Sequence, residues 1–505
     1  MNDQPTVKTK FPATFWTANT IELFERAAYY SMASFMVIYL KESLGMTPSF
    51  ATFLNGSLLW GIIYFMPIVS GTLADKFGFK RSLSVSFVLI SLGYFIMGNL
   101  QRLWPGLIGK GAAEAVDFTV PVVLGIVLIG LGGSIVKPCI AGTVQKTAGT
   151  RATLAFGIFY MVINIGSITG RSVSYFIRIN LGIPAIFTYA ATAFALIGLV
   201  VTLFVYKEPQ YVSDGIKDGQ KAEKKTLAQA LLGIFVVLGN LKFLFLCLQL
   251  LAYWLLSILL RNLVPPSSPW IPIYGVIVAA AVVGYIVRAK LRFFSLILVL
   301  SMFWFLYIQL YNLMPLFMRY VDPNAPMELY TLANPIMIVC FQLLITRLVK
   351  RWLPVKTIML GAIVVTLGML VNILPPLLFA DPTRKTALLG LSLPIAGIFI
   401  LISIASMAVG EMMASPRIYE YIGAIAPKGQ EGLYLGYTSL PIALASIIGG
   451  PIGGRLFERY INTPLKEGLP VDTVTMWLII VAIGIGSIVG LWIYDRVVVK
   501  DRKKA

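Results

Sequence analysis

Five residues near the start of the chain have types and spacing suited to handling charge: Glu22, Glu25, Arg26, Tyr29 and Tyr30. They stand at i, i+3, i+4, i+7 and i+8, so at ~100° per residue they form one stripe along a helix. Glu22 and Arg26, four apart, can pair directly. An ion pair that merely stabilised the helix would not need two acids and two tyrosines on the same stripe. Two further ionisable residues lie deep in apolar segments: Lys137 in GGSIVKPCIAG and Glu411 in AVGEMMASP. Each such charge costs at least ~2.5–3.5 kcal/mol to place in lipid, which makes it a functional candidate by default. Pro138 weakens the helix beside Lys137 and frees carbonyls near the ammonium. A carboxylate in surroundings as apolar as those of Glu411 is a candidate to take up a proton. Arg171 toward one helix end, and Arg417 with Glu420 toward another, fit a gate or an interface as well as plain structural pairing.

The elements that must position these residues are membrane helices. The chain has 505 residues, of which 58% are hydrophobic and 12% charged. A soluble domain carries about 25% charged residues, so the solvent for these side chains is lipid. Apolar segments long enough to span occur near 12–40, 50–74, 82–101, 119–146, 152–178 and 184–206, then near 229–260 and 270–287. Six more follow near 293–318, 328–348, 355–379, 389–424, 430–457 and 474–495. The polar stretch 207–226 is the expected cytoplasmic linker. The layout is six, two and six, or fourteen transmembrane helices. Two related six-helix halves packed around a midplane site produce such a pattern.

The net charge of +19 follows from basic cytoplasmic loops rather than from nucleic-acid binding. Lys76/Lys80/Arg81, Lys221/Lys224/Lys225, Arg288/Lys290/Arg292, Arg347/Lys350/Arg351 and Arg502/Lys503/Lys504 all fall on one side of the predicted topology. An even helix number then puts both termini in the cytoplasm. Cys139, Cys247 and Cys340 sit in apolar segments and read as small hydrophobes, not disulfides. There is no histidine, which removes imidazole ligands, bases and relays. The N-terminal residues lack the basic-then-apolar layout of a cleaved signal peptide. A membrane enzyme needs a nucleophile, base or metal site, usually with sizeable loops, and the sequence offers no such set.

The stretch GTLADKFGFKRS (71–82) resembles the cytoplasmic loop signature of the major facilitator superfamily, with Gly71, Asp75, Lys76, Gly78, Lys80 and Arg81 at the matching positions. ELFERAAYY (22–30) resembles the Glu-x-x-Glu-Arg-Phe-x-Tyr-Tyr motif of the proton-dependent oligopeptide transporters, with Ala27 in place of the Phe. The surroundings of Lys137-Pro138, FYMVINIGS (159–167), FWFLYIQ (303–309), NPIMIV (334–339), GEMMASP (410–416) and IAP (425–427) resemble that family in order along the chain. Two extra helices between the halves fit its bacterial members.

The resemblance implies an all-α membrane protein of the major facilitator fold. Its parts are a bundle over 1–206, a linker with two inserted helices over 207–292 and a second bundle over 293–505. It implies a proton-coupled symporter in the inner membrane that imports di- or tripeptides or a similar small zwitterion, driven by protons without a cofactor and acting as a monomer. A carrier of organic anions or amino-acid derivatives, or a non-transporting receptor on the same fold, are the alternatives. By resemblance Glu22, Glu25, Arg26 and Lys137 couple the proton, and Tyr29, Tyr30, Tyr64, Lys137, Asn164, Gln309, Asn334 and Glu411 line the substrate site. Asp75 would bridge to a basic partner when the inner side is closed. Glu411, an acid facing a basic half-cavity, is the expected anchor for a substrate amine. Two positions depart from the family: Ala33 replaces an Arg that would hold a peptide carboxylate, and Ile308 replaces the acid that would pair with Lys137.

Overall fold

A computed structural model describes residues 10–105, 119–148, 151–209, 277, 292–388, 391–425 and 437–499. Contacts divide the chain into two compact units: residues 1–219 with 301–489, and residues 220–300 with 490–505. In the second unit the Arg496 guanidinium lies 5.6 Å from the Trp492 ring centroid. Apart from residue 277, the expected helices near 229–260 and 270–287 lie outside the described residues, so the expected total of fourteen rests on the sequence.

The first helix is α1 (Ala13–Ala33). The second, α2, runs from Pro48 to Phe77 in the segments Pro48–Thr52, Phe53–Trp60, Gly61–Phe65 and Pro67–Phe77. Its Phe53–Trp60 stretch is π-helical. Next come α3 (Phe79–Gly98), α4 (Thr119–Ala148), α5 (Ala152–Leu181) and α6 (Thr192–Phe204). The second half holds α7 (Arg292–Ile308), α8 (Leu313–Val321), α9 (Met327–Val349), α10 (Pro354–Val371), α11 (Ile395–Ile425), α12 (Leu440–Phe457) and α13 (Thr473–Tyr494). Eleven helical stretches among the described residues are long and apolar enough to cross a membrane. The charge-bearing α1 is not one of them, yet it packs against α4, α5 and α6 within the first half.

Small residues set this packing. A Cβ on Gly166 would sit 2.6 Å from the Leu23 carbonyl, and one on Gly170 would collide with the Ala27 carbonyl. The Gly-x-x-x-Gly spacing of these two therefore lets α1 and α5 approach backbone to backbone. Ala27, fully buried, stands at that contact. Across the halves, a Cβ on Gly56 would lie 2.6 Å from Gly450 Cα, so α2 and α12 meet the same way.

Two expected helices are corrected. The segment expected near 293–318 breaks over Gln309–Asn312 and restarts as α8. Pro315 lacks the N–H a continuous helix would need. Asn312 Nδ2 donates to the Ile308 carbonyl (3.0 Å), and Asn55 Nδ2 of α2 donates to the Tyr311 carbonyl (3.0 Å) and to Asn312 Oδ1 (3.1 Å). Irregular backbone at membrane depth persists only where protein groups satisfy it in this way. The segment expected near 389–424 begins instead with an antiparallel hairpin, β1 (Lys385–Leu388) with β2 (Leu391–Pro394), in register Lys385↔Pro394 and Leu388↔Leu391. Its approach turns at Asp381, which accepts from the Thr383 backbone N–H (3.0 Å) and hydroxyl (2.6 Å). These bonds hold the Asp381 carboxyl below the usual carboxylate range.

Candidate functional site

The α1 stripe is buried as its periodicity requires. Glu22 is 1% exposed, Glu25 3%, Arg26 9% and Tyr29 4%, and Tyr30 is half-buried. The two acids are not equivalent. Arg26 Nε donates to Glu25 Oε2 at 2.5 Å, while Glu22 Oε1 lies 3.5 Å from the same nitrogen. Neither Glu22 oxygen has a hydrogen-bond partner among the described residues. A buried carboxylate without a donor is costly, so Glu22 is the unsatisfied member of the trio. The guanidinium also lies over two rings, 5.2 Å from the Tyr29 centroid and 6.0 Å from that of Tyr30.

Lys137 of α4 is exposed. Its charge nevertheless reaches both Glu22 of α1 and Glu411 of α11. Lys137 thus lies within electrostatic reach of an acid in each half. In the second half, Glu411 Oε2 accepts from Asn334 Nδ2 of α9 at 3.3 Å and lies within hydrogen-bonding reach of the Tyr307 hydroxyl. Four phenols, on Tyr30, Tyr160, Tyr307 and Tyr311, sense the Glu411 charge. A chain of rings joins the two halves: Tyr29 to Trp60 at 6.3 Å, Trp60 to Tyr311 at 5.0 Å, and Tyr311 to Tyr307 at 6.2 Å. Tyr64 is half-buried, 5.5 Å from Trp60. Asn164 is buried and donates to the Tyr160 carbonyl at 2.9 Å.

Gln309 is placed elsewhere. It is fully buried, and its amide donates to the Gly449 carbonyl of α12 at 3.1 Å. The structure thus brings Glu22, Glu25, Arg26, Tyr29, Tyr30, Tyr64, Lys137, Asn164, Asn334 and Glu411 around one region, while Gln309 ties α7 to α12.

Polar contacts close one end of the halves, the end reached by the last turns of α1. There the Ser34 and Thr331 hydroxyls are 2.8 Å apart, and Arg178 Nε contacts Glu328 Oε1 at 2.6 Å. Arg319 Nε lies 3.4 Å from Glu42 Oε1. Arg171 of α5 is 1% exposed; it donates to the Thr331 hydroxyl (3.0 Å), to the Tyr311 hydroxyl (3.1 Å) and to the Ser167 hydroxyl. Arg417 pairs with Glu420 at 2.5 Å and donates to the Val349 carbonyl (2.6 Å), a contact inside the second half.

The loop between α2 and α3 is held by a residue the sequence did not single out. Glu208, just beyond α6, accepts from the Lys80 backbone N–H at 2.7 Å and from that of Phe79 at 3.3 Å. Its carboxylate therefore caps the first turn of α3, where donors are unpaired and the helix dipole favours an anion. Gly78 takes φ +90°, and a Cβ there would press on the Glu208 carboxylate. Gly71 of α2 faces Pro138 of α4, where a built Cβ would stand at 3.5 Å, an ordinary contact. Lys76 and Arg81 are exposed, and the Asp75 side chain lies outside the described residues. Glu208→Ala is expected to cost about 1 kcal/mol, read as a lower thermal unfolding midpoint; an unchanged midpoint would remove the capping role.

Comparisons with known proteins give the chain's family and fold. Dipeptide and tripeptide permease B of Aliivibrio fischeri (strain MJ11) is 30% identical over 50% of this chain and 46% of its own length. Dipeptide and tripeptide permease A of Pectobacterium carotovorum subsp. carotovorum (strain PC1) is 28% identical over 50% and 46%. The chain thus spans about half the length of the curated relatives it matches. Among solved structures, a POT family transporter in complex with 5-aminolevulinic acid has a TM-score of 0.66 at 17% identity, covering 96% of this chain and 97% of that one. A peptide transporter POT in complex with alafosfalin gives 0.63 at 19% identity, covering 96% of both. These likenesses place the fold among the transporters of that type. The Major Facilitator Superfamily profile matches residues 21–391, well over half of the sequence, and the chain belongs to that superfamily.

Proposed function

We propose that this protein is a proton-coupled symporter that carries a small peptide or similar amphoteric solute by alternating access. The observation that carries the proposal is the pair of facing charge sets. Glu22, Glu25 and Arg26 lie buried on α1, Glu411 stands on α11, and Lys137 is exposed between the halves, within electrostatic reach of Glu22 and Glu411. Buried ionisable groups contributed by two helical halves suit a site that exchanges protons and a charged solute. The curated relatives are named as dipeptide and tripeptide permeases, which supports the peptide class.

In this reading Glu22 takes the proton, because Glu25 is already held by Arg26. Tyr29, Tyr30, Tyr64 and Asn164 border the solute on one side. Asn334 and Tyr307 orient Glu411, which receives the solute's amine. The 1–206 and 293–505 bundles move about this site, with the chain acting as a monomer in the inner membrane and both termini cytoplasmic. The cytoplasmic loop residues Gly71, Asp75, Lys76, Gly78, Lys80 and Arg81 serve the opposite, cytoplasmic gate. No cofactor is needed, since the proton gradient supplies the energy.

In that orientation the closed end is the outer one. Arg178→Met is expected to loosen it, because Glu328 then keeps a buried charge without its partner. The check is the rate at which an impermeant maleimide, added outside, labels a cysteine placed at Ser34. Faster labelling than in the otherwise unchanged protein is expected; an equal rate would contradict the latch.

The function itself is tested with purified protein in liposomes under an imposed pH gradient, acid outside. Accumulation of a labelled dipeptide above its external concentration, abolished by a protonophore, is expected. Binding without accumulation would identify a receptor instead.

A further inference from the structure

Arg171 is a buried cation with no acid beside it among the described residues. It is 1% exposed, and all its hydrogen-bond partners among the described residues are neutral hydroxyls: Ser167, Tyr311 and Thr331. None of the described carboxylates lies within ion-pair distance of it, whereas its neighbour Arg26 has two and Arg178 has one. Its guanidinium sits 4.5 Å from the Tyr30 ring centroid, on a ring that Arg26 also approaches at 6.0 Å. Arg171 therefore belongs to the same buried charge set, and its charge is felt at Tyr30 and at Tyr311 together with that of Glu411. A charge out of water is paired or compensated nearby, and isolated charges at membrane depth are costly.

With Arg171 included, the described residues of the region between the halves hold three acids, Glu22, Glu25 and Glu411, and three cations, Arg26, Lys137 and Arg171. The ion pairs at the closed end, Arg178 with Glu328 and Arg319 with Glu42, are each neutral in themselves. The empty, fully ionised site is thus neutral. One proton taken up by an acid raises it to +1, and a net-neutral zwitterion leaves that charge uncompensated. A solute with one net negative charge restores neutrality.

We propose that Arg171 sets the substrate's net charge, so that this site takes solutes carrying one net negative charge together with one proton. The proposal rests on the symport reading above and narrows its substrate class. Arg171 acts through its field, since it is sealed behind Tyr30 and Tyr311, and the solute's carboxylate faces Lys137. One proton and one monoanion move together, so the net movement carries no charge.

The test uses full-length protein in liposomes and four probes: Ala-Ala (neutral), Ala-Lys (cationic), Ala-Glu and N-acetyl-Ala-Ala (both monoanionic). Affinities are read by competition and thermal shift, and uptake is measured at fixed pH gradient with and without a membrane potential. Monoanions are expected to bind at least about tenfold more tightly than Ala-Ala, the effect of one partly screened unit charge. Their uptake should not respond to the potential. Arg171→Lys keeps this order, whereas Arg171→Gln reverses it toward Ala-Ala, whose uptake with a proton becomes potential-driven. Tighter binding of Ala-Ala by the unaltered protein would overturn the charge assignment while leaving the symport reading intact. Equal weakening of all probes by Arg171→Gln would make Arg171 a structural latch and also overturn it. Uptake of N-acetyl-Ala-Ala without any free dipeptide would sustain the charge assignment and overturn the peptide reading. Failure of all four probes to bind or accumulate would sink both.

Discussion

Glu22→Gln is expected to abolish accumulation of solute against its gradient while leaving counterflow exchange largely intact. The amide fills the same volume and keeps the Glu25–Arg26 contact at 2.5 Å, but it cannot titrate. Glu25→Gln should behave differently. It removes the closer partner of a buried guanidinium, and breaking a buried pair typically costs ~3–5 kcal/mol. That variant should lose both accumulation and exchange and unfold at lower temperature. The check is uptake and counterflow on the two variants side by side. If Glu22→Gln still concentrates solute under an imposed pH gradient, the proton does not reside on Glu22. If Glu25→Gln keeps exchange and Glu22→Gln loses it, the two roles are reversed.

Glu411→Gln is expected to separate ligands by their amine. Ala-Glu and N-acetyl-Ala-Ala carry the same net charge, but only the first offers an ammonium. A buried ion pair losing one partner costs ~3–5 kcal/mol, a factor of a hundred or more in affinity, whereas a lost neutral hydrogen bond costs about 0.5–1.5 kcal/mol. Ala-Glu should therefore weaken far more than N-acetyl-Ala-Ala. The Asn334 amide (3.3 Å) and Tyr307 can still hold the glutamine in place. Equal weakening of the two ligands in a competition assay would take Glu411 out of amine recognition.

The sequence made the helices and the α1 stripe legible for a simple reason. Lipid forbids unpaired backbone, so apolar runs are helical, and charges within them must face inward. Glu22, Glu25 and Arg26 obey this without help from tertiary detail. What could not be read depends on partners far apart in the chain. The helix break at Gln309–Asn312 requires Asn55, more than two hundred residues earlier. The cap on α3 comes from Glu208, whose carboxylate acts on a helix that precedes it by four spans. Gln309 carries the right residue type for a binding site, but the glycines of α12 let that helix come close enough to capture its amide. The absence of an acid beside Arg171 among the described residues was likewise invisible, because sequence gives the charge and only packing reveals what faces it. The hairpin of Lys385–Leu388 with Leu391–Pro394 was hidden because the apolar composition of the segment reads as the start of a helix.

The most direct measurement is proton movement evoked by solute. Protein is reconstituted into liposomes containing a pH-sensitive dye, with equal pH on both sides, and a carried solute is added outside. The expected result is acidification of the interior that begins with solute addition, saturates with its concentration and disappears in Glu22→Gln while counterflow persists. Solute entry without any change in interior pH would contradict proton coupling through the α1 acids.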